Sequence, residues 1–335
     1  MHHSFAHVGG VLATGLRDIT TDPAALDGSG WWAVVATYEG EITCARFDHV
    51  RRAPLPRPAA PWHGPAPEDW RTSLDQAAYE AGVERIRAYI EQGEVYQANL
   101  CRVLTAPLRP GPGADPAALA ALLAQGNPAP YAATVSLPGT AVVSASPELY
   151  LSRTGDVIES RPIKGTGATA ADLLEKDHAE NVMIVDLVRN DLGRVAEVGS
   201  VSVPELCAVE KHPGLVHLVS TVRARLAAGH GWPDLFAATF PPGSVTGAPK
   251  SSALRIIDEL EPAPRGPYCG AVGWVDADRR VASLAVGIRT FWIEDHLIRF
   301  GTGAGITWGS DPRREWHETE LKAARLISLA SYGGV

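Results

Sequence analysis

The order of apolar runs predicts an α+β fold built on mainly antiparallel sheets. Two observations carry this. Strand-like runs arrive in adjacent, hairpin-like pairs: YAATVSL with TAVVSAS, and RVASLAVGIRTFWIED with HLIRFGTGAGI. The helical patterns are grouped between these runs, not alternated one for one as a doubly wound βαβ sheet requires.

Residues up to about 50 read as a few short strands, WWAVVATYEG and then EITCARF. RRAPLPRPAAPWHGPAPEDW follows, with six prolines between Pro54 and Pro67. Proline fixes φ and has no N–H to donate, so this stretch is a linker or surface crossing. The boundary between a small N-terminal lobe (residues 1–60, linker included) and a main domain (61–335) is placed here. From Ser73 the pattern turns helical. Tyr79, Val83, Ile86 and Ile90 recur at three- and four-residue steps, and Gly93 is a natural stop. YQANLCRVLTAPL then reads as a strand, as do YAATVSL, TAVVSAS, ELYLSRT, YCGAVGWVD, RVASLAVGIRTFWIED and HLIRFGTGAGI. Long helices are expected over 172–192, 248–260 and 312–331.

With 335 residues, 45% apolar and 20% charged, the chain has a globular balance and the length to bury a full core. Its net charge of −8 argues against a nucleic-acid partner, because phosphate backbones select basic surfaces. No apolar run reaches the roughly 18 residues that indicate a membrane-spanning helix. The start, MHHSFAHVGG, shows no basic region followed by an apolar one, so a secretory leader is not expected. Cys44, Cys101, Cys207 and Cys269 lie far apart with no C-x-x-C pair, consistent with reduced thiols in a cytoplasmic protein.

Two segments place paired acids on helices. In LLEKDHAENVMIVDLVRNDLG, Asp177 and Glu180 share one helical face; in DPRREWHETELKAARLI, Glu315 and Glu318 do the same, with Lys322 one turn beyond. Hard cations such as Mg²⁺ take oxygen ligands, so two such helices could clamp one ion; solvated faces and salt bridges are the alternative use of the same acids.

FPPGSVTGAPKSSALRIIDEL resembles a phosphate loop but lacks its spacing. Three residues separate Gly243 from Gly247, and Pro249, before Lys250, has no N–H to offer. The helix start itself still presents free N–H groups to an anion. FGTGAGITWGS is a second glycine cluster, either for close approach of a ligand to Gly301, Gly303 and Gly305 or for a turn with a bulge. Arg289, in the apolar run AVGIRTF, needs a carboxylate, which either a substrate or a structural ion pair would supply.

Taken together, GEVYQANL, SASPELYLSR, ESRPIKGT, AENVMIVDLVRNDLG, EKHPGLVHLVSTV, FPPGSVTGAPKSSAL, YCGAVGWVD, GIRTFWI, GTGAGIT and EWHETELKAARLI resemble, in the same order, the chorismate-utilising enzymes: anthranilate, aminodeoxychorismate, isochorismate and salicylate synthases. The resemblance covers roughly residues 73 to 332. It implies a large sandwich of two stacked, mainly antiparallel sheets with helices outside.

The resemblance further implies that Glu180 and Glu318 ligate Mg²⁺, with Asp177 and Glu315 assisting through water; the family usually has glutamate where Asp177 stands. Tyr268, Arg289, the backbone of Gly303, Ala304 and Gly305, and Lys322 would hold the carboxylates of chorismate, while Ser244, Thr246 and Thr166 would line the pocket. In PIKGT, Lys164 replaces the alanine typical of anthranilate synthases. It matches the lysine that in aminodeoxychorismate synthases is thought to attack C2 while the C4 hydroxyl leaves. Such an amine must be neutral, so its pKa must fall. Gln97 stands where isochorismate and salicylate synthases carry a lysine base; an amide cannot activate water. Glu148 matches the glutamate beside C4, as acid to the departing hydroxyl and base to incoming ammonia. His217 matches a histidine near the reacting ring; a hydrogen-bonded core histidine is its alternative reading.

No cysteine sits in the tight glycine-flanked elbow that a glutaminase nucleophile needs, so ammonia is expected from a separate glutamine amidotransferase subunit or from solution. The rival readings are anthranilate synthase component I, which adds ammonia at C2 and eliminates pyruvate, and a non-catalytic chorismate-binding subunit that docks a glutaminase.

Overall fold

The computed structural model describes residues 4–167, 169–212 and 215–331, with the side chains of Pro112, Thr166, His212 and Leu215 outside that description. Among the described residues, eighteen strands form one hydrogen-bonded network, and every strand pair in it is antiparallel.

The network has two halves. In the first, Gln97–Pro107, Leu297–Ile306, Thr290–Glu294, Thr140–Ser146 and Tyr131–Leu137 lie side by side. In the second, the order is Trp31–Ala36, Ala271–Asp276, Val281–Val286, Leu149–Thr154, Val157–Arg161 and Leu215–Arg225. Val135 and Val142 of the first half share one buried cluster with Val34 and Leu284 of the second, so the halves stack face to face. This is the expected antiparallel sandwich, joined along one edge by Phe5–Val8, Val11–Thr20 and Ile42–Arg52.

That edge matters for the N-terminal segment. Phe5–Val8 pairs with Tyr131–Leu137 and Trp31–Ala36 with Ala271–Asp276, so the first 52 residues share sheet and core with the rest of the chain. The proline-rich stretch after Arg52 carries only a three-residue 3₁₀ turn and a two-residue strand, as its missing donors dictate. It is fastened to the chain's far end, with Trp62 Nε1 donating to Ala330 O at 2.8 Å and Trp70 Nε1 to Ser331 Oγ at 3.0 Å.

Among the described residues, six helices pack outside: α1 (Gln76–Glu91), α2 (Pro116–Gly126), α3 (Glu175–Gly193), α4 (Trp232–Thr239), α5 (Lys250–Leu260) and α6 (Pro312–Ala330). Asp75 caps α1 by accepting from Ala78 N at 2.9 Å, a contact typically worth about 1 kcal/mol. Tyr79, Val83 and Ile86 are buried against Ala98, Leu100 and Ala304, so the apolar stripe read from the sequence is the packed face. α6 starts from an Asp311 cap followed by Pro312.

The run RVASLAVGIRTFWIED is not one strand. Val281–Val286 belongs to the second half and Thr290–Glu294 to the first, and the chain crosses between them at Gly287–Arg289. Arg289 takes a φ of 52° at this crossing and lies between strands, not inside one.

Candidate active site

Glu148 occupies the two-residue link between Thr140–Ser146 and Leu149–Thr154 and is 4% exposed. Ser146 Oγ accepts from its N–H at 3.2 Å, and its carbonyl accepts from Val286 N at 3.0 Å, which fixes the backbone. Burial pushes the carboxyl up to about 7, against hydrogen bonds from Ser244 and the Ile163 backbone and the charge of Lys164.

Lys164 lies on the strand Ile163–Gly167, which pairs with Leu215–Arg225. The register shifts between Lys164 and Thr166, around Gly165, whose φ of 76° favours glycine. This bulge presses onto α3, where an added Cβ at Gly165 would meet Asp177 Cβ at 2.9 Å. Nζ of Lys164 is 3.4 Å from Ser244 O. Burial holds its pKa below the ordinary lysine range, Glu180, Glu148 and Glu318 pull it up, and Lys322 adds to the lowering. The amine therefore stands among groups from four other stretches of chain.

The two acid-bearing helices converge there. Burial raises the Glu180 carboxyl, with Asp177 and Glu318 adding like charge against Lys164 and Lys176. Burial likewise raises Glu315, where Ser310 donates to it and Glu318 repels it. At Glu318 burial is again the largest influence, but the Lys322 ammonium, 2.7 Å away, outweighs it together with Lys176 and Lys164, and the carboxyl ends below its usual range. Asp177 Oδ2 accepts from Leu174 N at 2.8 Å, so one oxygen of this acid caps α3.

Among the described residues, no three His, Cys, Asp or Glu side chains converge tightly enough to hold a metal by themselves. Mg²⁺ commonly takes only one or two protein carboxylates, with water and substrate oxygens completing its shell. The donor set fits that use: Glu180 and Glu315 each face the like charge of Glu318, which a divalent ion would relieve.

The glycine cluster is a strand, not a turn. Leu297–Ile306 pairs with Gln97–Pro107, and Gly301, Gly303 and Gly305 share one face. An added Cβ would fall 2.0 Å from the Tyr268 ring at Gly301, 2.5 Å from Cys101 Sγ at Gly303, and 2.0 Å from Gln97 Nε2 at Gly305. The absent side chains thus admit Tyr268 and Gln97. Both amide atoms of Gln97, and Asn99 Oδ1, are buried without a hydrogen-bond partner. Tyr268 is 6% exposed, with Oη 3.9 Å from Cys101 Sγ. Ala304 points its side chain into the opposite core with Tyr79, leaving only its backbone for the site. Lys322 Nζ donates to Gly303 O at 3.0 Å.

The remaining residues divide. Ser244 is buried beside Glu148 and Lys164. Thr246 is fully buried, and its hydroxyl folds back to Pro242 O and Gly243 O, each at 3.2 Å, so it holds the loop's turn. Arg289 is half-buried with its pKa lowered by burial, and no ion-pair partner lies near it among the described residues. Among the described residues, then, no structural ion pair accounts for it. His217 is 2% exposed and opposes Thr166 and Glu210 across the sheet; the Thr166 side chain lies outside the described set.

The sequence reading overlooked three groups. Lys176, one residue before Asp177, acts on Glu180, Glu315 and Glu318. Asn181 is fully buried and donates to Leu218 O at 3.2 Å, docking α3 on the strand that carries His217. Arg265, 1% exposed, pairs with Glu261 and donates to Val245 O and Asn99 O at 2.9 and 3.2 Å. Its i,i+4 spacing from Glu261 was the only available signal.

Residues 28–328 match the family described as chorismate binding enzyme. The chain belongs to the chorismate-binding enzyme family. It is 42% identical over 272 residues to aminodeoxychorismate synthase component 1 of Klebsiella aerogenes, covering 77% of this chain and 59% of that protein. It is 41% identical over 293 residues to anthranilate synthase component 1 1 of Haloarcula marismortui, covering 81% and 58%. The chain thus spans under two thirds of the length of these relatives. Among solved structures it resembles anthranilate synthase component I from Streptococcus pneumoniae TIGR4, with a TM-score of 0.79, 24% identity, and coverage of 98% of this chain and 91% of that one. The menaquinone-specific isochorismate synthase MenF from Escherichia coli has the same fold, with a TM-score of 0.79, 19% identity and coverage of 98% and 88%. No helix among the described residues is long and apolar enough to cross a membrane.

Proposed function

We propose that this chorismate-binding enzyme aminates chorismate at C4, giving 4-amino-4-deoxychorismate, as its aminodeoxychorismate synthase relatives are named for doing. The observation that carries the reading is Lys164: a half-buried amine with a lowered pKa, beside a buried carboxyl that titrates near 7. A neutral amine is a nucleophile, and a carboxyl poised near neutrality both gives and takes a proton.

Lys164 Nζ would form a bond to C2 of the ring as the double bond shifts and the C4 hydroxyl leaves, taking a proton from Glu148. The Lys164 nitrogen stays a secondary ammonium, so it can leave again as a neutral amine. Ammonia would then bond to C4, the double bond shifts back, and the C2–N bond breaks to return the lysine. Glu148, now a carboxylate, takes a proton from the new ammonium group. Ser244 keeps Glu148 in place for both transfers. Arg289, with no carboxylate partner among the described residues, would receive one carboxylate of the substrate, and Lys322 the other end of the site.

Glu180 and Glu318 would hold Mg²⁺, with Glu315 and Asp177 behind them. Bound there, the ion supplies neutralisation of the ring carboxylate and a fixed orientation. The unpartnered Gln97 amide offers hydrogen bonds but no base, which argues against addition of water. Relatives named as component 1 support a separate subunit as the ammonia source.

Anthranilate synthase activity is the second reading, since relatives of that name are equally similar. Incubation with chorismate, Mg²⁺ and ammonium separates the two. The expected product yields 4-aminobenzoate only after a lyase is added. Fluorescent anthranilate with released pyruvate would establish the rival.

A further inference from the structure

Lys250, at the start of α5, is the cation that the false phosphate loop offers, and nothing above gives it a task. Its ammonium is fully engaged: Nζ lies 2.6 Å from Asp191 Oδ2 on α3, 2.9 Å from Pro241 O and 3.1 Å from Thr239 O. The two carbonyls open the loop 240–246, which carries Ser244. At the loop's other end Arg265 donates to Val245 O. Thr239 adds a further tie, its hydroxyl 2.6 Å from Tyr150 Oη, two residues after Glu148.

Beneath the loop is a small cavity of about 20 Å³, bounded by Glu148, Ser160, Val188, Asp191, Gly243 and Ser244. Even a gap the size of one water removes packing partners from the loop's underside, so the ties of Lys250, Arg265 and Thr239 carry more of its placement.

We propose that Lys250 is a positioning residue: by fastening the loop to Asp191 it sets where Ser244 meets Glu148 and Lys164, without touching substrate. The inference rests on the catalytic roles proposed for Glu148 and Lys164. An ion pair that merely held the fold together would cost stability without acting through Ser244.

The test is a mutant cycle on the full chain, read as consumption of chorismate with saturating ammonium and Mg²⁺. Lys250→Met is compared with the charge-balanced Lys250→Met/Asp191→Asn, which leaves no buried charge unpaired, and each is repeated in Ser244→Ala. We expect kcat to fall about 10- to 100-fold in both, with KM for chorismate moving less than about threefold, and less than about threefold further loss once Ser244 is alanine. Wild-type kcat in the charge-balanced variant, or losses that simply multiply with that of Ser244→Ala, overturns the proposal. Should the methionine variants fail to fold, Lys250→Arg keeps the charge but not three donors around one point. It is expected to lose kcat at least about fivefold with an unchanged melting temperature, and an unchanged kcat overturns the proposal equally. Because consumption is read whatever the product, a wild type that consumes chorismate without making the C4 amine sinks the product assignment and leaves the cycle readable.

Discussion

Gln97 and Gly305 are in such close contact that a Cβ at position 305 would lie 2.0 Å from Gln97 Nε2. The amide is fully buried and partnerless, so it faces the strand whose glycines admit it. Gly305→Ala must displace Gln97 or push two paired strands apart. Overpacking of this kind costs about 1–3 kcal/mol. The melting temperature should fall accordingly, and Gln97→Ala in the same chain should restore most of it. A Gly305→Ala protein that melts like the wild type would show that the contact is loose.

Glu148 gives a stability signature of its own. Its ordinary value of 4.5 is raised to about 7 by burial, so between these values the folded chain holds a proton that the unfolded chain has lost. Stability therefore falls as pH rises from about 4.5 to about 7 and levels off above. Glu148→Gln, neutral at every pH, should be more stable than wild type at pH 8 by up to about 3 kcal/mol, with the gain vanishing near pH 4. Thermal melts of the two proteins across this range measure it. A constant difference would mean that the carboxyl is not titrating in this window.

The acids of α3 and α6 predict a metal dependence. Glu180→Gln and Glu318→Gln should each raise the Mg²⁺ concentration for half-maximal activity by about 10-fold or more, with activity partly recovered at high Mg²⁺. Glu320→Gln is the control. That residue neighbours the pair in sequence but binds Arg102, on the far side of α6. If all three respond alike, the two helices do not share an ion.

How much of this was legible depended on whether a residue's environment is local. α1 showed itself because Tyr79, Val83 and Ile86 face one core, and the glycine strand because its residues alternate between two faces. α2 stayed hidden because PAALAALLAQG is too uniformly apolar to show a helical period. The break at Arg289 was not visible because both flanking runs are apolar, and only the pairing partners reveal that they belong to different halves. Within the site, the acid pairs, Lys164 and Glu148 are expectations that rest on motifs. The capping contact of Asp177, the turn held by Thr246 and the tie from Lys250 to Asp191 join residues whose meeting is set by tertiary packing, and no spacing announces them.

The central claim is that Lys164 becomes covalently joined to the substrate ring. It is tested most directly by mixing the protein with chorismate and Mg²⁺ without ammonia, quenching with acid, and measuring the intact mass. We predict a species heavier by chorismate less one water, mapped to the peptide containing Lys164 and missing from Lys164→Ala, which should also lose about 10³-fold or more in C4 amination. Undiminished C4 amination by Lys164→Ala, with no adduct in the wild type, would contradict the account.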